Sequence, residues 1–167
     1  MDRAAFERDG ALLFERQLTP DQIDALRTLA DERLGDRPGA RLDGEAGLAT
    51  LLATSGPVGG VAMQLTSPSA RPVRAVLFDK TVDANWTVAW HQDRTIPVGA
   101  RLDVEGFGPW TVKDGVPHVA PPYEILARMV TLRVHLDAVD ALLVGHRQVA
   151  VQQLLLQPHQ LGVGVGV

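Results

Sequence analysis

The sequence predicts a mainly β domain with a helical N-terminal section. Three observations carry that expectation. Thr19-Pro20-Asp21-Gln22 reads as a capped helix start and is followed by apolar residues at helical spacing. From Arg71 onward, runs rich in Val and Phe alternate with Gly/Pro punctuation. Over Met129–Asp137, Val130, Leu132, Val134 and Leu136 alternate strictly with Met129, Thr131, Arg133, His135 and Asp137, the period of a strand with one aliphatic and one polar face.

Taken in order, Phe6, Leu12, Leu13 and Phe14 around Asp9-Gly10 suggest a short helix, a turn and a short strand. After the Thr19 cap, Ile23, Leu26, Ala30 and Leu34 recur three and four apart and Gly35 ends the helix. The uncharged stretch Ala46–Ala70 reads as a buried helix followed by a Gly/Pro/Ser loop. Arg71–Thr81 and Trp86–His91 read as strands, and Gly99–Lys113 as short strands or one long loop. Gly115–Pro122 reads as loop, Tyr123–Arg128 as one helical turn, and Leu142–Leu156 as a strand or a helix. The polar face of Met129–Asp137 either meets solvent or, in a barrel-like fold, lines a wet lumen.

Composition narrows the function classes. The 167 residues suit one domain with a sizeable core. With no cysteine, a disulfide scaffold, a thiolate metal site and a cysteine nucleophile are excluded. A net charge of −4 leaves no broad basic face for nucleic acid. No apolar run approaches the roughly 20 residues of a membrane helix, and the N-terminus lacks a signal-peptide core. The expectation is a cytoplasmic protein acting on a small molecule, without nucleic-acid or membrane partners. All 20 acidic residues lie at or before Asp140, whereas five of the nine glutamines fall at 148, 152, 153, 157 and 160. Residues 141–167 therefore form an atypical tail, following a helical section at 1–70 and a β section at 71–140.

The chemically informative segment is Trp86-Thr-Val-Ala-Trp-His-Gln-Asp93. Residues two apart on a strand point to one side, so His91 and Asp93 can grip one metal ion. A distant third His would complete the two-His, one-carboxylate set of non-heme Fe(II) oxygenases.

This segment, together with Arg71-Pro-Val-Arg-Ala-Val-Leu-Phe-Asp-Lys-Thr81, Asn85-Trp86, Gly106-Phe-Gly-Pro-Trp110, Lys113-Asp-Gly-Val-Pro-His-Val119, Pro121-Pro122 and Met129–Asp137, resembles the phytanoyl-CoA dioxygenase family, most closely its bacterial small-molecule hydroxylases. The resemblance covers roughly residues 3 to 140. It implies a double-stranded β-helix, or jelly roll, with Fe(II) as cofactor and 2-oxoglutarate and O2 as cosubstrates. In that scheme His91 and Asp93 are catalytic iron ligands. Lys80 and Asn85 are candidate contacts to cosubstrate or substrate. Trp86 and Trp90 pack the pocket wall or meet the ligand. His118 is an exposed loop residue or a pocket histidine, and Arg133 and His135 face the lumen or form ordinary salt bridges.

The family continues with a second iron-binding His and an Arg that pairs with the far carboxylate of 2-oxoglutarate. Here Leu154-Leu-Leu-Gln-Pro-His159 resembles the approach to that His, but no Arg follows it; Gly145-His146-Arg147 resembles an earlier family segment. Two expectations result. Either the chain is a compact oxygenase with His159, or His146, as third ligand, or it is a truncated, catalytically impaired member whose jelly roll is incomplete and whose open edge favours a homodimer. A non-catalytic jelly-roll module that binds a metal or small molecule is the alternative.

Overall fold

A computed structural model describes residues 2–42, 44–81, 83, 93–138 and 146–155. It contains two antiparallel sheets and five helices among those residues, so the content is mixed rather than mainly β, and the sheets do not close into a barrel.

The first two helices begin where side chains satisfy free N–H groups. In α1 (Arg3–Asp9) the Asp2 carboxylate accepts from the Ala5 amide. In α2 (Pro20–Leu34) the Thr19 hydroxyl accepts from the Gln22 amide at 3.3 Å, and the Gln22 side chain accepts from the Thr19 amide at 3.0 Å. That reciprocal capping box and Pro20 in the first helical position match the sequence expectation. Residues 11–14 form no strand, and Leu13 is 81% exposed.

The stretch expected as one helix plus loop is two helices, α3 (Ala46–Leu52) and α4 (Pro57–Leu65). Pro57 starts the second. Glycine is required at the junction: a Cβ on Gly59 would collide with the Leu52 and Ala53 carbonyl oxygens. Among the described residues no single helix is long and apolar enough to cross a membrane. The pair α3–α4 has the length and composition, but it is bent by 43°. It buries Leu48, Leu51, Val58, Val61, Ala62 and Leu65 inside the protein.

The larger sheet is ordered β1 (Gly39–Arg41), β2 (Ala70–Lys80), β7 (His146–Leu155), β6 (Met129–His135). The β2–β7 ladder runs from Ala70↔Leu155 to Lys80↔His146, with an irregularity between Pro72 and Arg74. The segment whose type the sequence left open is thus a strand, paired on both sides, and it lies within the glutamine-rich tail. Ala75 and Leu77 of β2, Val149 and Val151 of β7, and Leu132 and Val134 of β6 share one face. They pack with Leu26, Ala30 and Leu34 of α2 and with Leu48 and Leu51 of α3 in the main core. Each such buried aliphatic side chain contributes about 1.5–3 kcal/mol. Polar ties add orientation: Arg27 of α2 donates to the Leu136 carbonyl and pairs with Asp137, while Asp31 pairs with Arg147.

The smaller sheet is ordered β3 (Ile96–Pro97), β5 (Val116–Val119), β4 (Trp110–Lys113). Its β5 replaces the loop expected at 115–122. Lys113 pairs with Val116 across a two-residue turn in which Asp114 and Gly115 have φ of 50° and 79°, the left-handed pair such hairpins demand. Ile96, Val98 and Val119 form a second core with Phe107, Trp110, Leu126 and Met129. The single helical turn expected after Pro122 is α5 (Tyr123–Leu126). The strand expected at Trp86–His91 lies outside the described residues.

Two substitutions probe this packing. Gly59→Ala is expected to lower unfolding stability by about 1–3 kcal/mol, because the added methyl meets backbone that cannot retreat. Leu77→Ala, in a fully buried position, is expected to cost about 2–5 kcal/mol. Urea denaturation followed by circular dichroism checks both.

Candidate functional site

Strand alternation on β2 divides its side chains. Ala75 and Leu77 turn toward the helices, so Arg74, Val76, Phe78 and Lys80 turn the other way. Register places Arg41 of β1 beside Val76 on that second face, and Arg133 and His135 of β6 on the same face across β7. The face opposite the main core therefore carries Arg41, Arg74, Lys80, Arg133 and His135.

The smaller sheet approaches the β1–β2 end of this face. The Asp114 carboxylate at its hairpin tip accepts from Arg41 at 2.8 Å. Asp93, just before β3, lies 3.7 Å from Arg74, and its side chain is about half exposed. Asp93 also lines a cleft of about 400 Å³ with Gly108, Ala120, Pro121, Tyr123 and Leu126.

His118 is the one buried polar or charged residue among those described. Its Nδ1 lies 2.9 Å from the Val116 carbonyl oxygen. A carbonyl only accepts, so Nδ1 carries the proton, and in the neutral ring Nε2 keeps its lone pair. That Nε2 is buried without a hydrogen-bond partner among the described residues. Burial is the largest influence on the ring and pushes its pKa down. The bond to Val116 opposes this, and the charges of Arg41, Lys113 and Arg74 push it further down. A neutral imidazole with one N–H anchored to a backbone carbonyl is the arrangement of a positioned acceptor.

The other sequence candidates divide as follows. Lys80 closes β2 and is partly buried; Arg133 and His135 are exposed on β6. His118 is fully buried in strand β5, which removes its reading as an exposed loop residue. His91, Asn85, Trp86, Trp90 and His159 lie outside the described residues. The backbone of His146 pairs with Lys80 at the start of β7. Three residues that sequence reasoning passed over, Arg41, Arg74 and Lys113, surround the buried histidine electrostatically. The signal for Arg74 was available: it stands one residue out of phase with Ala75 and Leu77.

Arg147, the last arginine in the chain, is the cross-strand partner of Asp79 and pairs with Asp79 at 3.4 Å and with Asp31 of α2. It belongs to the helix-facing side of the sheet, away from Asp93.

Asp93 brings a half-exposed carboxylate to the cleft, a donor type that hard divalent cations take. Among the described residues no three His, Asp or Glu side chains converge at metal-holding distance. Comparisons with family models, with curated proteins and with solved structures found no match to the chain.

The His118 environment has a pH consequence. With the folded pKa below the ordinary value of 6.5, the unfolded chain takes up a proton first as pH falls. The stability contributed by the neutral ring is therefore complete above the ordinary value and lost as pH drops through the folded one. Thermal unfolding across pH 7.5 to 5 is expected to fall less steeply for His118→Asn than for the native chain; identical slopes would remove this role.

Proposed function

We propose that this chain is an Fe(II)/2-oxoglutarate-dependent oxygenase of the phytanoyl-CoA dioxygenase type, acting on a small organic substrate in the cytoplasm. In this reading its two antiparallel sheets are parts of a jelly roll. The observation that carries the reading is Asp93: the carboxylate of the His-x-Asp motif lies in a cleft, beside Arg74 on the basic face of the larger sheet. His91 and Asp93 would hold the metal, with His159 as the third ligand. Bound there, Fe(II) would supply O2 activation, with one oxygen atom going to 2-oxoglutarate as it loses CO2 to become succinate and the other to a substrate C–H bond as a hydroxyl group.

The chain's own residues supply placement and exclusion. Arg74 lies 3.7 Å from one carboxylate oxygen of Asp93 and places a positive charge beside the proposed ligand. Ala120, Pro121 and Leu126 line the same cleft with apolar surface, which limits water around a bound substrate. Lys80, Asn85, Trp86, Arg133 and His135 are the further cosubstrate and substrate contacts in this reading.

A second reading is favoured by Arg147. In the family a late arginine clamps the far carboxylate of 2-oxoglutarate, and here the last arginine is held by Asp31 and Asp79 on the helix side. A jelly-roll module that binds metal without turnover accommodates that placement.

Calorimetry of the full chain with Mn(II), with and without 2-oxoglutarate, tests both. The oxygenase reading expects binding strengthened by 2-oxoglutarate and weakened at least about tenfold by His91→Ala and by Asp93→Ala. Binding without such strengthening favours the module. Affinity unchanged in both variants removes the ligand assignment.

A further inference from the structure

A second cleft, of about 580 Å³, lies between α3, the first half of β2 and the edge of the smaller sheet. That volume falls in the range of small-molecule sites. Its wall is largely aliphatic, with Leu42, Leu48, Leu52, Val73, Pro97 and Val116. The cleft exists because β1 covers only part of β2. Gly39–Arg41 pairs with residues 76–78, and the Leu42 amide donates to the Ala75 carbonyl, where that pairing stops.

Arg74 belongs to this wall. Its side chain is 17% exposed, and its one partner among the described residues is Asp93 at 3.7 Å, beyond hydrogen-bond length. A guanidinium offers five N–H donors in a planar fork, and burying them unpaired is costly. Of the other charged groups of the wall, Glu45 is ion-paired and Arg71 is exposed to solvent. Glu45 pairs with Arg33 at 2.7 Å, and Arg71 donates to the Ala70 carbonyl at 2.8 Å. Pro97 and Val116 are neighbours of His118, whose buried Nε2 has no hydrogen-bond partner among the described residues. Arg41 and Lys113 add positive charge at this end. An aliphatic cleft thus ends at a largely buried guanidinium that makes no hydrogen bond among the described residues, the complement of an apolar tail carrying one carboxylate.

We propose that this cleft binds a small aliphatic carboxylic acid, its tail between α3 and β2 and its carboxylate on the Arg74 fork. The inference needs no metal; it shares Arg74 with the oxygenase reading, but the comparison of octanoate with octanol is read without Fe(II) and does not depend on that reading.

Calorimetry of the full chain with octanoate, octanol and 2-oxoglutarate tests it. Octanoate is expected to bind about tenfold more tightly than octanol, because only the acid engages the guanidinium. Arg74→Gln is expected to abolish that difference and leave octanol binding intact. Arg74→Lys, which keeps the charge and loses the fork, is expected to retain part of it. Leu48→Trp is expected to weaken octanoate and octanol alike. Circular dichroism verifies that each variant is folded. Octanoate binding no tighter than octanol, or an Arg74→Gln variant that binds octanoate as the native chain does, overturns the proposal. Displacement of octanoate by 2-oxoglutarate at equal affinity also overturns it, assigning Arg74 to a dicarboxylate instead.

Discussion

The antiparallel pairing of β2 with β7 is the constraint on which the other features depend. It joins Ala70–Lys80 to His146–Leu155 over almost their whole lengths. Once that register is set, alternation decides every side chain's face. A one-residue slip of β2 against β7 would carry Ala75 and Leu77 out of the main core and bring Arg74 and Lys80 into it. The helices enforce the register by covering one face only. α2 sits on the aliphatic side through Leu26, Ala30 and Leu34, and Arg27 and Asp31 tie it to the β6–β7 region. The polar face is thereby left to the smaller sheet, which reaches it through Arg41–Asp114 and Arg74–Asp93.

That meeting of sheets gives the site its electrostatic character. The acid–base pairs at its margin are partly exposed, so each contributes little to stability. Their effect is on position: they bring β3 and the β4–β5 hairpin against the basic face. Burial, and then the charges of Arg41, Lys113 and Arg74, lower the pKa of His118, against the bond to Val116. Arg74 touches both candidate regions, since it faces Asp93 and also lines the larger cleft. The two proposed sites, one for a carboxylate-bearing molecule and one for a metal ion, thus share one side chain.

Elements governed by local chemistry were legible in the sequence. The Thr19–Gln22 capping box, the Gly35 stop and the alternation of Met129–Asp137 act within a few residues of one another, and the structure reproduces them. Elements decided by distant partners were not. Gln148-Val-Ala-Val-Gln-Gln153 suits either a helix or a strand until β2 and β6 offer edges on both sides. The β4–β5 hairpin did carry a local signal, Asp114-Gly115, obscured by the prolines that follow it. Of the site, the His-x-Asp motif was visible because its spacing is short. The burial of His118 and the pairing of Arg74 with Asp93 were not, because both arise where the two sheets meet; only the phase of Arg74 against Ala75 and Leu77 was. Asp93 is the part of the motif that the described residues place on the site.

The most direct test of the account is where a divalent cation sits. Mn(II) broadens the NMR signals of nearby nuclei, so amide spectra of the full chain recorded with increasing Mn(II) locate it. The account predicts that broadening begins at Asp93 and spreads to Arg74 and to Ala120–Pro121 neighbours, while Leu26 and Ala30 of α2 remain sharp. Broadening that begins instead among the acidic residues of α2, with Asp93 unaffected, would contradict it.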